Sequence, residues 1–123
     1  MRKRRDSSGL PAAVVAALPV RPSAFAVLAA LAQGPCPGFE ILERANRSLP
    51  ARPILGPGTL YRLLRELRRE GLIRRASPPV AAEGAEDERR SYHELTAHGR
   101  AVLNAEAARL RRTLDLSGLR GST

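Results

Sequence analysis

The sequence predicts a mainly α-helical domain carrying one small β-hairpin, and three observations lead there. Four segments repeat apolar residues at helical spacing, two short β-prone segments follow the third of them, and glycine or proline punctuates the junctions. At 123 residues the chain holds one compact core with some appended helix or tail, not two full-sized domains. A composition of 43% hydrophobic and 27% charged residues belongs to a folded rather than a disordered chain. Aromatics are only 3%, as Phe25, Phe39, Tyr61 and Tyr92 with no Trp, so the core must be packed from Leu, Ile, Val and Ala.

Residues 1–9 are polar and charged, with nothing to bury, and read as a mobile basic arm. Residues 10–18 form a short apolar helix closed by Pro19, too short to persist without something to dock against. A firmer helix starts at Pro22 and Ser23, and repeats Phe25, Leu28, Leu31 and Ala32 until Gly34 stops it. After the turn at 33–38, residues 39–47 place Ile41, Leu42 and Ala45 on one side, with Glu40, Glu43, Arg44 and Arg47 largely on the other. Pro50 and Pro53 make residues 48–55 a connector.

A third helix begins near Gly56, Pro57, Gly58 and Thr59 and runs to Glu70 before Gly71. Leu60, Leu63, Leu64 and Leu67 form its apolar stripe, while Tyr61, Arg62, Arg65, Arg68 and Arg69 project elsewhere. Residues 72–76 and 90–95 read as two strands of a hairpin, joined by a loop rich in Pro, Ala, Gly and acid that is long enough to serve as a wing. Thr96 caps a last helix in which Leu103, Ala107, Leu110 and Leu114 recur at roughly heptad spacing. The other helices are already committed to a core, so a second copy of the chain is the natural partner for that stripe; packing against the first helix is compatible with it.

The formal charge is +9, from 21 basic and 12 acidic residues, with a pI near 11.4. Such a chain attracts polyanions, nucleic acid first among them, although a basic balance also serves solubility. Lys3 is the only lysine; the charge is carried by arginine, which suits forked contacts to phosphate and guanine and equally follows from GC-rich coding. With Cys36 as the single cysteine, an intramolecular disulfide and a multi-cysteine metal site are excluded, and a reducing cytoplasm is the simplest location. Arg2 to Arg5 followed by an apolar stretch resembles a signal peptide. Asp6, Ser7, Ser8 and Gly9 intervene, Pro11 and Pro19 bracket the stretch, and nothing reaches the ~20 apolar residues of a membrane span. Catalysis is not expected: His93 and His98 sit on different elements, Cys36 is remote, and the Gly56–Thr59 segment has neither the spacing nor the lysine of a phosphate loop. Neither a metal nor a cofactor is expected.

Three helices, a two-stranded wing and a last helix make a winged helix-turn-helix with a C-terminal dimerisation helix. The runs at 25–34, 38–41, 55–61 and 70–73, then 87–90, Tyr92, Leu95, Thr96, Gly99 and Arg100, resemble the PadR family in order over about residues 19 to 117. Gly-Pro-Gly-Thr-Leu-Tyr at 56–61, followed by Glu-Gly-Leu-Ile at 70–73, is the most specific part. Pro37 stands where the family usually has His, Phe39 where it has Tyr, and Gly56 where a capping Ser is common. The resemblance implies a dimeric repressor whose third helix enters the major groove and whose first and last helices form the dimer.

The expected division is an arm and short helix at 1–18, a winged-helix domain at 19–95, a dimerisation helix at 96–117 and a tail at 118–123. Arg62 and Arg65 are the expected base readers, with Thr59 and Tyr61 positioning the backbone; packing of Tyr61 on the wing is an equal alternative, and Arg68 and Arg69 read as solvated surface. Arg74, Arg75, Arg89 and Arg90 would present the strand ends to phosphate or minor groove, while the acidic tip at 83–88 is repelled. Phe25, Leu28, Leu103, Ala107, Leu110 and Leu114 are the expected dimer contacts. Many family members respond to aromatic or drug-like molecules, but with no Trp and only Phe25 in the dimer helices no stacking platform for such an effector is evident. An RNA-binding or protein-binding winged helix is the alternative to duplex DNA, and the lack of clustered aromatics speaks against single-stranded RNA.

Overall fold

The structure is a computed structural model that describes residues 9–48, 55–79 and 91–119. The basic arm, part of the connector, the wing tip with Arg89 and Arg90, and the last residues of the tail lie outside the described residues. The order of elements is α1 (Ala12–Ala16), α2 (Pro22–Ala30), α3 (Gly38–Ser48), α4 (Pro57–Arg69), β1 (Ile73–Arg75), β2 (His93–Leu95) and α5 (Ala97–Ser117). This is the mainly helical architecture with one antiparallel hairpin that the sequence predicts.

α2 runs through the middle of the molecule. Its proline at the first turn has a preset φ and no N–H to satisfy, which suits a helix start that lacks a side-chain cap. Ala24, Ala26, Val27, Leu28 and Ala30 are all buried, because α3 packs on one side and α5 on another. The small alanines let both neighbours approach. Two arginines hold the carbonyls at its C-terminal end: Arg44 of α3 donates to Ala30 O at 3.2 Å and Arg100 of α5 donates to Ala32 O at 3.1 Å. Cations placed there satisfy otherwise unpaired acceptors and oppose the negative end of the helix dipole. Arg44 also pairs with Glu40, one turn earlier on α3.

The core is built from Leu28, Leu31, Ile41, Leu60, Leu64, Leu67, Ile73 and Val102, with Cys36 among them. It is aliphatic among the described residues, as the aromatic-poor composition requires. Burial pushes the Cys36 thiol up to about 12, with the nearby Glu40 carboxylate adding to the effect. Its thiolate is therefore not populated at neutral pH, and the residue packs rather than reacts.

The strands are shorter than the sequence suggested. Leu72 belongs to the turn after α4, where its N–H returns to Leu67 O at 3.0 Å, so β1 starts one residue later. Ile73 faces Leu95, Arg74 faces Glu94 and Arg75 faces His93, and Ala76 adds one further bond to Tyr92 O. The outer edge of β2 is also paired: His93 exchanges both backbone hydrogen bonds with Cys36, each at 3.0 Å. The wing is thus tied to the turn between α2 and α3 as well as to α4.

Thr96 caps α5 as expected, its Oγ1 accepting from Gly99 N at 3.0 Å while the hydroxyl donates to Gly71 O. The helix ends at Gly118, whose φ of +76° glycine adopts without strain. Its first half is buried through Gly99, Val102, Leu103, Ala105 and Glu106, whereas every residue from 108 to 119 is exposed. α1 docks through Val14 against α5, which supplies the support so short a helix needs.

Candidate nucleic-acid interface

α4 divides sharply into two faces. Leu60, Leu63, Leu64 and Leu67 are all buried, and Thr59, Tyr61, Arg62, Arg65 and Arg69 are exposed. Burial of four leucines contributes on the order of 6–12 kcal/mol as an upper figure. Like-charge arginine pairs three and four residues apart cost only about 0.2–0.5 kcal/mol each, so the leucines decide how the helix sits. The arginines therefore face solvent by default. No carboxylate among the described residues pairs with Arg62 or Arg65; Glu66, on the flank, pairs instead with Arg21 at 3.3 Å. Among the described residues that contact leaves a surface of forked cations without carboxylate partners on a rigid helix.

The Tyr61 ring reaches the start of α3. A Cβ built at Gly38 would lie 2.9 Å from the Tyr61 hydroxyl, so the glycine makes room for the ring. The Gly38 N–H is taken by Ser91 Oγ at 3.0 Å, which joins the start of α3 to the base of the wing. Tyr61 remains 48% exposed and keeps surface to offer a ligand.

In the wing, Arg74 pairs with Glu94 across the strands at 2.8 Å, so its charge is largely compensated. Arg75 is exposed, and no carboxylate among the described residues pairs with it. Arg68, read from the sequence as solvated helix surface, is instead turned to the wing, its Nη1 2.7 Å from His93 Nε2. His93 is buried, and its Nδ1 lies 2.7 Å from Ser91 O. Burial is the largest influence on its pKa and pushes it below the usual value, with Arg68 and Arg75 adding to the effect and the Ser91 carbonyl opposing it. Sequence reasoning missed this pair, because a strand histidine and a helix arginine 25 residues apart carry no periodic signal.

Residues 27–105, more than half of the chain, match the model of the transcriptional regulator PadR-like family. The chain belongs to that family. The match runs from α2 through both strands into the buried half of α5, the part that builds and carries the two faces of α4. Among solved structures, a PadR family transcription regulator from Clostridium difficile is similar with a TM-score of 0.63 and 22% identity, over 78% of this chain and 94% of that one. A PadR family regulator from Eggerthella lenta has a TM-score of 0.54 and 25% identity, over 75% and 77% of the two chains. A MarR family regulator from Silicibacter pomeroyi has a TM-score of 0.58 and 26% identity, over 91% and 68%. These likenesses establish the winged-helix architecture. No curated protein matches the sequence.

In this PadR-like chain the dimer contacts named from sequence separate into two groups. Leu28 is fully buried within the chain itself, and Leu103 nearly so, which leaves them almost no surface for a second copy. Phe25 and Ala107 are half-buried, and Leu110 and Leu114 are exposed. Periodicity could not separate them, because the same stripe begins in the core and continues beyond it. Leu116 and Leu119, 82% and 66% exposed, extend the apolar surface at the projecting end. A groove of about 570 Å³ lies between the start of α2 and the middle of α5, lined in part by Phe25, Ala29, Arg109 and Leu110.

Glu106 is the other residue that sequence reasoning passed over. It is 1% exposed, accepts from Val20 N at 2.7 Å and is paired with Arg109. An acid three residues after Leu103, on the apolar side of a helix, was the available sign. The Arg109 contact, the largest influence, holds its carboxyl below the usual range; burial opposes this and the Val20 N–H supports it. Among the described residues no three of His, Cys, Asp and Glu gather into a possible metal site, and no helix is long and apolar enough to cross a membrane.

Proposed function

We propose that this PadR-like chain is a sequence-specific double-stranded DNA-binding regulator, a repressor that acts as a homodimer on a pseudo-palindromic operator in the cytoplasm and catalyses nothing. The observation that carries the reading is the exposed arginine face of α4, held outward by four buried leucines. A helix of this width fills the major groove, where Arg62 and Arg65 can pair with guanine through both forked nitrogens. Thr59 and Tyr61 contact the sugar-phosphate backbone, and Arg75 reaches the flanking phosphates from the wing; Arg74 contributes less because Glu94 holds it. Two-fold symmetry comes from α5, whose exposed Leu110 and Leu114 pack with their counterparts and with Phe25 of a second copy.

Selection of bound duplexes from a random pool, at two salt concentrations, tests this directly. An enriched inverted repeat is expected, and Arg62→Ala together with Arg65→Ala is expected to erase the preference while sedimentation still reports a dimer. Each lost bidentate contact corresponds to about 1–3 kcal/mol of discrimination. Binding that is salt-sensitive but sequence-blind would refute the proposed readout, and binding of RNA or a protein in its place would support the alternative winged-helix role.

A further inference from the structure

His93 sits where three parts of the proposed DNA-binding unit meet. Its backbone is paired with Cys36 in the turn that precedes α3, its strand neighbour is Arg75 of β1, and its ring touches Arg68 of α4. The ring's protonation state follows from its neighbours. Ser91 O only accepts, so Nδ1 must carry the hydrogen; Arg68 only donates, so Nε2 must present its lone pair. Both contacts are 2.7 Å and both are satisfied by one neutral tautomer.

We propose that His93 is a positioning residue for DNA recognition: its neutral ring ties Arg68, and with it α4, to the wing, and proton uptake at Nε2 opens this latch and lowers operator selectivity. The inference rests on the DNA-binding reading above. Once Nε2 is protonated it faces a permanent cation with two like charges and no acceptor. The groups around it offer no relief. Arg68 approaches from α4, with Arg65 adding to the positive field there, and Arg75 approaches from β1. Cys36 contributes backbone groups, its thiol being directed to Pro37 O. Glu94, next to His93 on β2, is engaged by Arg74. Burial disfavours the charged ring further.

The sign of the effect is fixed by this arrangement: the latch is closed at neutral pH and opens in acid, below the ordinary histidine value of 6.5. Proton NMR titration of the full chain, with His98→Gln to assign the two rings, is expected to place His93 below that value and to raise it in Arg68→Met. The Cys36 and Ala76 amide signals are expected to move with the same midpoint. Operator-over-random selectivity is then measured near neutral pH and one unit below that midpoint for the wild type and His93→Gln, whose side-chain oxygen can accept from Arg68 without titrating. A loss of roughly tenfold is expected for the wild type and little for His93→Gln. Equal losses in both, an unchanged His93 midpoint in Arg68→Met, or unfolding before His93 takes up its proton would each overturn the latch. If the wild type prefers no duplex even at neutral pH, it is the DNA reading that fails, and the NMR arms still decide whether the latch exists.

Discussion

At Gly99 the first turn of α5 lies against the backbone of Leu72, and a Cβ there would stand 1.8 Å from that carbonyl oxygen. Backbone cannot swing aside as a flexible side chain can, so Gly99→Ala is expected to destabilise the fold by about 3 kcal/mol, read by urea denaturation at fixed protein concentration. Gly58, inside α4, is the contrasting site, since a methyl group added there would meet nothing within 4 Å. There Gly→Ala is expected to stabilise by up to about 1 kcal/mol, because only the helix propensity changes. Glu106 poses a different residue-scale question, since removing its carboxylate leaves the Val20 N–H without that acceptor. Glu106→Ala is expected to cost about 1–3 kcal/mol in the same measurement. Because its folded pKa is depressed, the stability it contributes is present above the unfolded value of 4.5 and is lost as pH falls through the folded one. His93 acts in the same direction at milder acidity: its folded pKa is also depressed, so the unfolded chain gains protons first as pH falls below 6.5.

Among the elements, α5 changes role along its length. Its first half closes the core through Val102, Leu103, Ala105 and Glu106, and its second half, from residue 108 on, is exposed. A cut before Leu103 would therefore remove core as well as the proposed interface, so the informative truncation comes after Arg109. Deletion of residues 110–123 is expected to leave a folded chain, with stability at low protein concentration changed by no more than about 0.5 kcal/mol. Sedimentation equilibrium of that truncation is expected to show a monomer; persistent dimers would place the interface elsewhere. α4 combines a packing stripe with an exposed arginine face in the same turns, and both were legible because a single 3.6-residue period separates leucine from arginine. The strands were less legible at their ends. Leu72 is apolar and β-prone, yet the hydrogen bond to Leu67 O keeps it in the turn.

For the whole molecule, the net charge of +9 favours long-range attraction to a polyanion, and under the proposed DNA reading Arg75 of the wing adds a phosphate contact. Arg75→Ala is expected to reduce the slope of log affinity against log salt by about 1 and to leave the ratio of operator to random binding nearly unchanged. Arg74→Ala is expected to change the slope less, because Glu94 already compensates that cation. A fall in selectivity for Arg75→Ala would show that the wing reads sequence, and its phosphate role would then have to be given up.

By itself the sequence determined the order of elements, the two faces of α4, the cap at Thr96 and an aliphatic core, because each rests on local spacing or on composition. It also carried the family resemblance through Gly-Pro-Gly-Thr-Leu-Tyr and Glu-Gly-Leu-Ile, which sit at the start and just past the end of one helix. Only the tertiary structure decided which apolar residues of a continuous stripe are core and which remain available. Leu28 and Leu114 look alike in sequence and differ because the packed helices bury the first, whereas the second is left exposed. The partners of Arg68, Arg74 and Glu106 were hidden for the same reason: a charge's chemistry depends on which opposite charge or neutral donor or acceptor the fold brings within about 3 Å, and that neighbour lies elsewhere in the chain for Arg68 and Arg74. For Glu106 it is Val20, brought to α5 by packing alone.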